Sequence, residues 1–326
     1  MRALVVERLA ADYAGCVVRA VATPEPGPGE VRIRVRAAAV NFPDLMQTRG
    51  EHQHKPAVPF VPGMELAGEV EAVGEGVSAF RVGEAVCGGG RGGMAEFAVL
   101  PAAGLRRKPD TLSFSQAAGY AVAYLTAYVA FERCGRVQPG EWVLVHGAAG
   151  GVGLAAVDLA QILGAKVIAA SASDAKLAVI DREYAPDATV NVTGGFRERV
   201  KEITGGKGAD VIYDPVGGDV FDESLRCIAF GGRILSIGFT SGRLPVLPVN
   251  IALIKGFSVI GVRAGEFGRQ FPQKGKENHE AIWRLAEAGK VRPRVDAEYP
   301  LDQWREAFDS LADRRVIGKT IVRPDL

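Results

Sequence analysis

The sequence predicts an α/β protein in which a doubly wound parallel sheet is accompanied by a second domain rich in β-strands. Three observations lead to this prediction. The chain has 326 residues, which favours two domains over one. Residues 124–264 alternate between short apolar runs and helical patterns, which is typical of a parallel sheet covered by helices. The first third, by contrast, consists of short strands separated by Gly and Pro.

Strand patterns dominate the first third of the chain. Apolar and charged residues alternate over Val31–Arg36 and, more loosely, over Glu65–Val73, as they do in half-buried strands. The Gly- and Pro-rich stretches PEPGPGE, VPGM and CGGGRGG lie between and around these runs. We therefore expect a loop-rich, barrel-like domain.

The middle of the chain predicts six strands with helices between them. The strands are Trp142–His146, Lys166–Ala170, Ala188–Val192, Ala209–Tyr213, Arg233–Ile237 and Phe257–Val262. The first helix has Val152, Ala156, Leu159 and Leu163 on one face, and Gly164 ends it. Further helices are predicted at Ala175–Tyr184, Phe196–Ile203 and Val220–Ile228. This order predicts a doubly wound parallel sheet.

The C-terminal part returns to mixed patterns. A charged helix is predicted around 277–289, followed by a linker, VRPRVDAEYPL. A helix near 302–313 and a final strand at Lys319–Val322 complete the chain. We expect this tail to pack on the first domain. The predicted domains are thus 1–123 together with 265–326, and 124–264.

Composition and charge exclude several classes of function. Hydrophobic residues make up 48% and charged residues 24%, as in a soluble globular protein. The net charge of +1 gives no attraction to nucleic acid or to an anionic membrane. No apolar run is long enough to span a bilayer, and the N-terminus lacks a signal-peptide pattern. The four cysteines are scattered without a C-x-x-C pair, which fits the cytoplasm.

The stretch VLVHGAAGGVG, residues 143–153, is the first candidate site. Its glycines follow a predicted strand and open a predicted helix. Gly150 allows the backbone to approach a pyrophosphate, Gly153 allows the helix to lie close to the sheet, and the helix N-terminus supplies N–H donors. The alternative is a plain tight turn between strand and helix. In this context the spacing favours a dinucleotide site.

The next strand bears on which dinucleotide is bound. A site for NAD needs an acidic residue at the tip of this strand, to accept hydrogen bonds from the ribose. Here Ser171, Ser173 and Lys176 follow the strand instead, and they suit a 2′-phosphate. The sequence therefore favours NADPH. Ser173 can also be the cap of the next helix with Lys176 in water, and both interpretations can hold together.

Six stretches together resemble one family. They are Ala39-Val-Asn41-Phe-Pro-Asp44, Pro59-Phe-Val-Pro-Gly63, Gly92-Gly-Met-Ala-Glu-Phe97, Ala148-Ala-Gly-Gly-Val-Gly153, Tyr213-Asp-Pro-Val-Gly-Gly218 and Gly238-Phe-Thr-Ser-Gly242. Over essentially its whole length the chain resembles the zinc-independent NADPH:quinone oxidoreductases (zeta-crystallin-like) of the medium-chain dehydrogenase/reductase superfamily. The resemblance implies a Rossmann domain inserted in a GroES-like β-barrel domain that the C-terminal tail completes. It also implies an active site in the cleft between them.

The resemblance implies chemistry without a metal. Zinc-dependent relatives bind the metal through a cysteine at the position of Asn41 and a histidine at the position of Met64, and carry a four-cysteine lobe after the stretch near Cys87. This chain lacks all of these, and Asn and Met are poor zinc ligands. We therefore expect hydride transfer from NADPH to a quinone or to a double bond conjugated to a carbonyl.

The resemblance also assigns site residues. Asn41 is placed near the nicotinamide ribose and the substrate, with Asp44 beside it, and Thr126 near the carboxamide. The alternative is that Asn41-Phe-Pro-Asp44 is only a turn, since Asn-x-Pro-Asp is ordinary turn sequence, but the wider match favours the functional interpretation. Further residues are assigned to the pyrophosphate, to the 2′-phosphate and to the rest of the cofactor: Ala149, Gly150, Gly151 and Val152; Ser171, Ser173 and Lys176; Val216, Gly217, Phe239, Thr240, Ser241, Val262 and Arg263.

The chain departs from some relatives near the substrate. They have tyrosines at the positions of Met46 and His52. His52 can donate a proton instead, which makes it a third candidate catalytic residue beside Asn41 and Asp44. The alternative is a solvated loop histidine. His52 and His54 suggest no metal site without a third ligand.

The predicted function is an NADPH-dependent reductase of quinones or enones, including enoyl thioesters. The alternative is a nucleotide-binding protein with little or no turnover, because a fold does not guarantee activity. The apolar strand Phe257–Val262 is the terminal strand of the predicted sheet. Since an uncovered apolar edge pairs readily, and since relatives do so, we expect a homodimer through it.

Overall fold

The computed structural model describes residues 1–53 and 55–326 and divides into two compact units. The first consists of Met1–Ala121 and Pro293–Leu326, and the second of Val122–Arg292. The predicted division placed residues 265–292 with the first domain, whereas the structure places them in the second unit. The guanidinium of Arg133, in the second unit, donates to Asn278 Oδ1 over 2.7 Å, and this bond joins residues 265–292 to the second unit.

The N-terminal part of the first unit is built mainly from strands. Its elements are β1 (Arg2–Val6), β2 (Cys16–Ala20), β3 (Glu30–Ala39), α1 (Phe42–Arg49), β4 (Glu65–Val73), β5 (Ala85–Gly89), β6 (Phe97–Pro101), β7 (Leu105–Arg107) and α2 (Phe114–Ala118). The predicted strand at 31–36 lies within β3, whose side chains alternate between buried and more exposed positions. The short helix α1 was not predicted. It begins directly after Asn41, where the sequence indicated only a turn.

The second unit alternates between helices and strands. Its elements are α3 (Ala121–Tyr128), a π-helical segment (Val129–Gly135), β8 (Trp142–Val145), α4 (Gly151–Ile162), β9 (Lys166–Ser171), α5 (Asp174–Tyr184), β10 (Ala188–Asn191), α6 (Arg197–Ile203), β11 (Ala209–Asp214), α7 (Gly218–Cys227), β12 (Ile228–Ser236), α8 (Val249–Lys255), β13 (Ser258–Gly261), α9 (Ala264–Gln270) and α10 (Pro272–Glu287). The predicted helix around 277–289 lies mostly within α10.

Six parallel strands form the sheet of the second unit, in the order β10-β9-β8-β11-β12-β13. The prediction of a doubly wound parallel sheet is thus confirmed. The strands are short and mostly apolar because both faces of the sheet are covered. Val143, Leu144 and Val145 of the central strand β8 are fully buried.

The C-terminal tail completes the sheet of the first unit, as expected. It contains β14 (Val295–Pro300), α11 (Trp304–Ala312) and β15 (Lys319–Arg323). β15 lies antiparallel to β3, and β14 lies parallel to β15. The sheet order is β14-β15-β3-β4-β5-β7, and β6 also pairs with β3.

One prediction for this tail was wrong. The stretch VRPRVDAEYPL was expected to be a linker, but its residues 295–300 form β14. The strand lies at the edge of the sheet, where none of its side chains is fully buried and several are half-exposed. Its pattern is therefore too polar to indicate a strand, and backbone pairing with β15 determines its conformation.

Candidate functional site

The turn between β8 and α4 has the geometry expected of the glycine stretch. Gly147 has a φ of +57°, a conformation that favours glycine. A Cβ on Gly153 would lie 2.2 Å from the carbonyl oxygen of Gly147, so α4 can approach this turn only because residue 153 is glycine. The predicted role of Gly153 in close packing of the helix thus agrees with the structure.

The N-terminus of α4 presents backbone donors, and its N-cap residue, a glycine, has no side chain to accept from them. Gly150 is the N-cap residue, with an extended backbone and no side-chain hydrogen bond to the first turn. The first N–H groups of a helix have no acceptor within the helix, and the helix dipole is positive at this end. A Cβ on Gly150 would lie 3.4 Å from its nearest neighbour, the Gly147 oxygen. The turn therefore fits an anionic group such as a pyrophosphate.

The ends of three further strands carry most of the other predicted cofactor residues. Asp214, the last residue of β11, accepts hydrogen bonds through Oδ1 from the backbone N–H groups of Val216 and Gly217, over 2.8 and 2.9 Å. Burial raises the pKa of the Asp214 carboxyl above its usual range, although these two donors act in the opposite direction. Asp214, which the sequence analysis did not single out, thus shapes this loop.

The loop that follows β12 is bonded to the loop that follows β11. Thr240 donates to the carbonyl oxygen of Pro215 through both its N–H and its hydroxyl group, each over 3.1 Å, and the Ser241 N–H donates to Val216 O over 2.9 Å. The ring of Phe239 is 45% exposed. The structure therefore brings Val216, Gly217, Phe239, Thr240 and Ser241 together.

Val262 and Arg263 follow β13 at the same edge of the sheet. The Val262 N–H donates to Ser236 O, at the end of β12, over 2.9 Å, which fixes the backbone after the last strand. Val262 is buried, and Arg263 is exposed at the start of α9. Because these strands are parallel, their carboxyl ends and the glycine turn after β8 lie along one edge, where open α/β sheets bind ligands.

The tip of β9 shows the capping interpretation of Ser173, and its contact with a 2′-phosphate stays a prediction. Ser173 is the N-cap of α5, and its Oγ accepts from the Lys176 N–H over 3.4 Å. The nearest acid, Asp174, accepts from the Asn191 amide over 2.6 Å. Ser171 accepts from the Ser173 N–H over 3.3 Å. The capping role is thus present, and both serine hydroxyl groups keep a proton that they can donate.

Thr126 and Tyr124 lie on α3. The hydroxyl group of Thr126 donates to Val122 O, one turn earlier, over 2.7 Å, so its oxygen remains as an acceptor. Tyr124 is buried, and its hydroxyl group donates to Asp158 Oδ2 over 2.6 Å. Tyr124 therefore joins α3 to α4 within the second unit.

The first unit contains a buried polar cluster that consists of Asn41, Glu65 and Lys319. Lys319 Nζ donates to Asn41 Oδ1 over 2.7 Å and lies 3.3 Å from Glu65 Oε2. Asn41 Nδ2 donates to Glu65 Oε2 over 2.9 Å. Of these three residues, Asn41 alone was a predicted site residue. The sequence offered one sign of Glu65 and Lys319: each is a charged residue at the start of a strand, Glu65 of β4 and Lys319 of β15.

Asp44 lies beside the polar cluster, on α1. Oδ2 accepts from the Asn41 N–H over 2.9 Å, and Oδ1 accepts from the Gly63 N–H over 3.2 Å. Burial raises the pKa of the Asp44 carboxyl to about 7, although these two donors act in the opposite direction. The contacts describe a carboxyl group that joins the start of α1 to the loop at Gly63. Its catalytic role stays a prediction.

His52 lies in a bend after α1 and is half-buried. Its backbone N–H donates to Met46 O over 3.2 Å. Both interpretations of its side chain therefore stay predictions, and His54 lies outside the described residues. Within residues 1–53 and 55–326, no group of three or more His, Cys, Asp and Glu side chains is arranged to hold a metal ion. In the same residues, no helix has the length and apolar character needed to cross a membrane.

Two family models match the chain. Residues 27–110 match the alcohol dehydrogenase GroES-like domain, and residues 151–279 match the zinc-binding dehydrogenase family. The first match lies in the first unit and contains the predicted residues Asn41 and Asp44. The second lies in the second unit and begins at the N-terminus of α4.

Curated relatives cover most of the chain. Quinone oxidoreductase-like protein 2 homolog of Nematostella vectensis is 42% identical over 292 residues, which are 88% of this chain and 79% of that protein. A quinone oxidoreductase of Pseudomonas aeruginosa is 35% identical over 305 residues, 92% of this chain and 93% of that protein. The similarity therefore extends over both units.

Solved structures are similar over nearly the whole length. A probable oxidoreductase from Mycobacterium abscessus has a TM-score of 0.88 at 36% identity and covers 99% of both chains. A mycobacterial protein complexed with NADPH has a TM-score of 0.88 at 29% identity, over 99% of this chain and 100% of that chain.

Proposed function

We propose a function from the premise that this chain belongs to the quinone oxidoreductase branch of the medium-chain dehydrogenase/reductase superfamily. Enzymes of this superfamily use a nucleotide cofactor. We infer that this chain binds NADPH and transfers its reducing equivalents to a quinone or to an α,β-unsaturated carbonyl compound, without a metal. The observation that carries this proposal is the turn before α4, in which Gly153 contacts Gly147 and the helix N-terminus presents uncapped donors.

The residues at the edge of the second sheet fit a dinucleotide. The N-terminus of α4 would hold the pyrophosphate through backbone N–H groups. The loops after β11 and β12 would lie along the rest of the cofactor, and Asp214 keeps the first of them in shape. When bound, NADPH supplies the hydride, so the task of the protein is to bind, orient and polarise the reactants.

The preference for NADPH over NADH is supported by the tip of β9. An acid that accepts from the ribose 2′-hydroxyl would repel a 2′-phosphate, and the nearest carboxylate, Asp174, bonds instead to Asn191. Ser171, Ser173 and Lys176 would bind the phosphate. That a similar mycobacterial protein is complexed with NADPH also favours this cofactor.

The first experiment measures the loss of NADPH absorbance, with NADH in parallel, against an ortho-quinone, a para-quinone, an alkenal and an enoyl thioester. We expect consumption of NADPH with at least one acceptor and little consumption of NADH. Tight binding of NADPH without consumption in any reaction would instead favour the alternative function, a nucleotide-binding protein with little turnover.

Lys176→Ala tests the cofactor preference in the same assay. A hydrogen bond to a charged group contributes about 1.5–3 kcal/mol, so we expect the affinity for NADPH to fall at least tenfold. The affinity for NADH should not change. Lys201→Ala, which removes a lysine from α6 of the same unit, is the control and should alter neither affinity. An equal loss for both cofactors in Lys176→Ala would contradict a contact with the 2′-phosphate.

We propose in addition that the chain forms a homodimer through β13. This strand is an edge of its sheet and pairs with β12 within the described residues. Large apolar side chains are exposed on β12, which pairs with β13, and on α8, which precedes it: Phe230 is 84%, Leu253 83% and Val249 74% exposed. An extended apolar surface is rare on a monomer, so this exposure supports the proposed association.

Light scattering at micromolar concentration should therefore give twice the mass of one chain. Leu253→Glu places a charge on the apolar surface, and we expect it to shift the protein to monomer. Val82→Glu is a matched control, since Val82 is an apolar residue of the first unit that is 66% exposed. A wild-type protein that is monomeric in this measurement would remove the dimer proposal.

A further inference from the structure

We propose that Lys319 and Glu65 hold the side-chain amide of Asn41 in one orientation, so that Asn41 can act toward a ligand only as a hydrogen-bond acceptor. The ligand group that Asn41 recognises is then a hydroxyl group and not a carbonyl oxygen. This inference rests on the proposed function, because it takes Asn41 as part of the ligand site. Lys319 and Glu65 act through Asn41 and are positioning residues.

The orientation of the amide follows from the chemistry of its two neighbours. The lysine ammonium has three N–H donors and no acceptor, and a carboxylate only accepts. Lys319 Nζ lies 2.7 Å from Asn41 Oδ1, and Glu65 Oε2 lies 2.9 Å from Asn41 Nδ2. Turning the amide over would place donor against donor and acceptor against acceptor. One of the two orientations therefore satisfies both neighbours.

The contacts leave the amide a single free position. Its nitrogen has two hydrogens, and Nδ2 donates to Glu65 Oε2 and, over 3.4 Å, to the backbone oxygen of Ala39. Its oxygen has two lone pairs, and Lys319 uses one of them. The Asp44 N–H lies beside this oxygen in a capping-box arrangement but donates to the backbone oxygen of Asn41 over 2.9 Å and not to Oδ1. Among residues 1–53 and 55–326, the second lone pair of Oδ1 is therefore what remains for a ligand. A ligand hydroxyl group can donate to it, whereas a quinone or enone carbonyl oxygen cannot.

The arrangement is fixed before any ligand binds. Asn41, Glu65 and Lys319 are 7%, 1% and 8% exposed. The side chain of Lys319 passes close over Gly119, because a Cβ on Gly119 would lie 3.1 Å from Lys319 Cγ. The three polar groups come from the start of α1, from β4 and from β15, all within the first unit. The amide therefore has little freedom to turn.

Two ligands of the proposed reaction carry such a hydroxyl group. One is NADPH, through the hydroxyl groups of its nicotinamide ribose, and the other is the hydroquinone formed when a quinone is reduced. Both offer an O–H donor to the same acceptor. The experiment therefore needs one arm for each.

The first arm measures the affinity for NADPH against its analogues that lack the 2′- or the 3′-hydroxyl of the nicotinamide ribose. The second measures a hydroquinone against its dimethyl ether in the presence of NADP⁺. In wild type we expect the affinity in one arm to fall about tenfold when the hydroxyl is absent or blocked. The quantity compared between variants is this ratio of affinities, with the hydroxyl and without it. The ratio compares two ligands on the same variant, so a general loss of stability does not change it.

The variants are Asn41→Ala, Lys319→Met and Lys319→Arg. Asn41→Ala should abolish the tenfold ratio. Lys319→Met should reduce it at least threefold, because Oδ1 then lacks the ammonium that fixes it and Glu65 alone restrains the amide. Lys319→Arg should keep most of it because it retains N–H donors. If Lys319→Met does not fold, Gly119→Ala displaces the lysine side chain instead and should also reduce the ratio.

Three results would overturn the inference. They are equal affinities for the two ligands of each arm in wild type, an unchanged ratio of affinities in Asn41→Ala, or a wild-type ratio in Lys319→Met. These measurements record binding and do not depend on turnover. A protein that consumes no NADPH with any acceptor would overturn the proposed function, while the ratios would still decide the role of Lys319.

Discussion

Replacing Gly153 with alanine is expected to destabilise the second unit by about 1–3 kcal/mol, as overpacking of a tight contact does. The new Cβ would lie 2.2 Å from Gly147 O, 2.8 Å from Gly147 C and 3.0 Å from Ala148 Cα. All three are backbone atoms, so α4 must move away from the turn after β8. The donors of its first turn then move as well, and we expect NADPH to bind at least tenfold more weakly. Thermal unfolding and calorimetric titration measure the two effects.

Gly150→Ala is the matched control for Gly153→Ala. Its Cβ would lie 3.4 Å from the nearest atom, and the φ of −76° suits alanine. We therefore expect Gly150→Ala to leave the unfolding temperature close to that of wild type. If the pyrophosphate approaches this residue, Gly150→Ala still weakens NADPH binding. An unfolding temperature for Gly153→Ala that equals that of wild type would show that the close approach of α4 is not needed.

The second large effect is expected at Asp158, on α4. Its side chain is fully buried and accepts from the Tyr124 hydroxyl over 2.6 Å, from the Arg292 N–H over 2.8 Å and from Arg292 Nε over 2.8 Å. Asp158→Ala leaves these donors without their acceptor. A buried donor such as the Tyr124 hydroxyl costs about 1–3 kcal/mol when it loses its acceptor, and the part-buried donors of Arg292 cost less, so we expect a total loss of roughly 2–5 kcal/mol in the stability of the second unit. Denaturant unfolding measures it.

Two controls separate the buried network from a simple loss of charge. Asp174→Ala also removes an aspartate from a helix of the second unit, but Asp174 is exposed and its carboxylate accepts from the Asn191 amide at the surface. It should cost less than about 0.5 kcal/mol. Tyr124→Phe removes one donor and should cost about 1 kcal/mol. If Asp158→Ala cost no more than Asp174→Ala, the network around Asp158 would not be a source of stability.

The second unit could be predicted well from the sequence because its signals are local. Strands such as β8 and β9 are short apolar runs, and the helices between them begin and end at residues that the sequence marks, as Ser173 does for α5. The conformation of the glycine turn follows from the absence of side chains at Gly147, Gly150 and Gly153. Neither the strand and helix patterns nor the glycine turn depends on contacts between residues that are distant in sequence.

The polar cluster of the first unit could not be predicted, because its contacts are distant in sequence. Lys319 is 278 residues from Asn41, and Glu65 is 24 residues from it. Both charged residues open strands, and a strand pattern does not show which strand will be its neighbour. The pairing of β15 with β3 places Lys319 beside the start of α1, and this pairing therefore determines the contacts of the cluster. The edge strand β14 was missed because its pattern is too polar to indicate a strand and its pairing with β15 does not show in the sequence.

The pairing of β15 with β3 also determines in what order the chain can fold as it is made. The second unit is continuous, so every residue it needs has left the ribosome once Arg292 is free. The first unit needs residues 319–323, and until they emerge the end of β3 has an open edge and Glu65 lacks its lysine. An open strand edge is a site of wrong pairing. The unit that begins first in synthesis is therefore the one that is completed last and needs protection for longest.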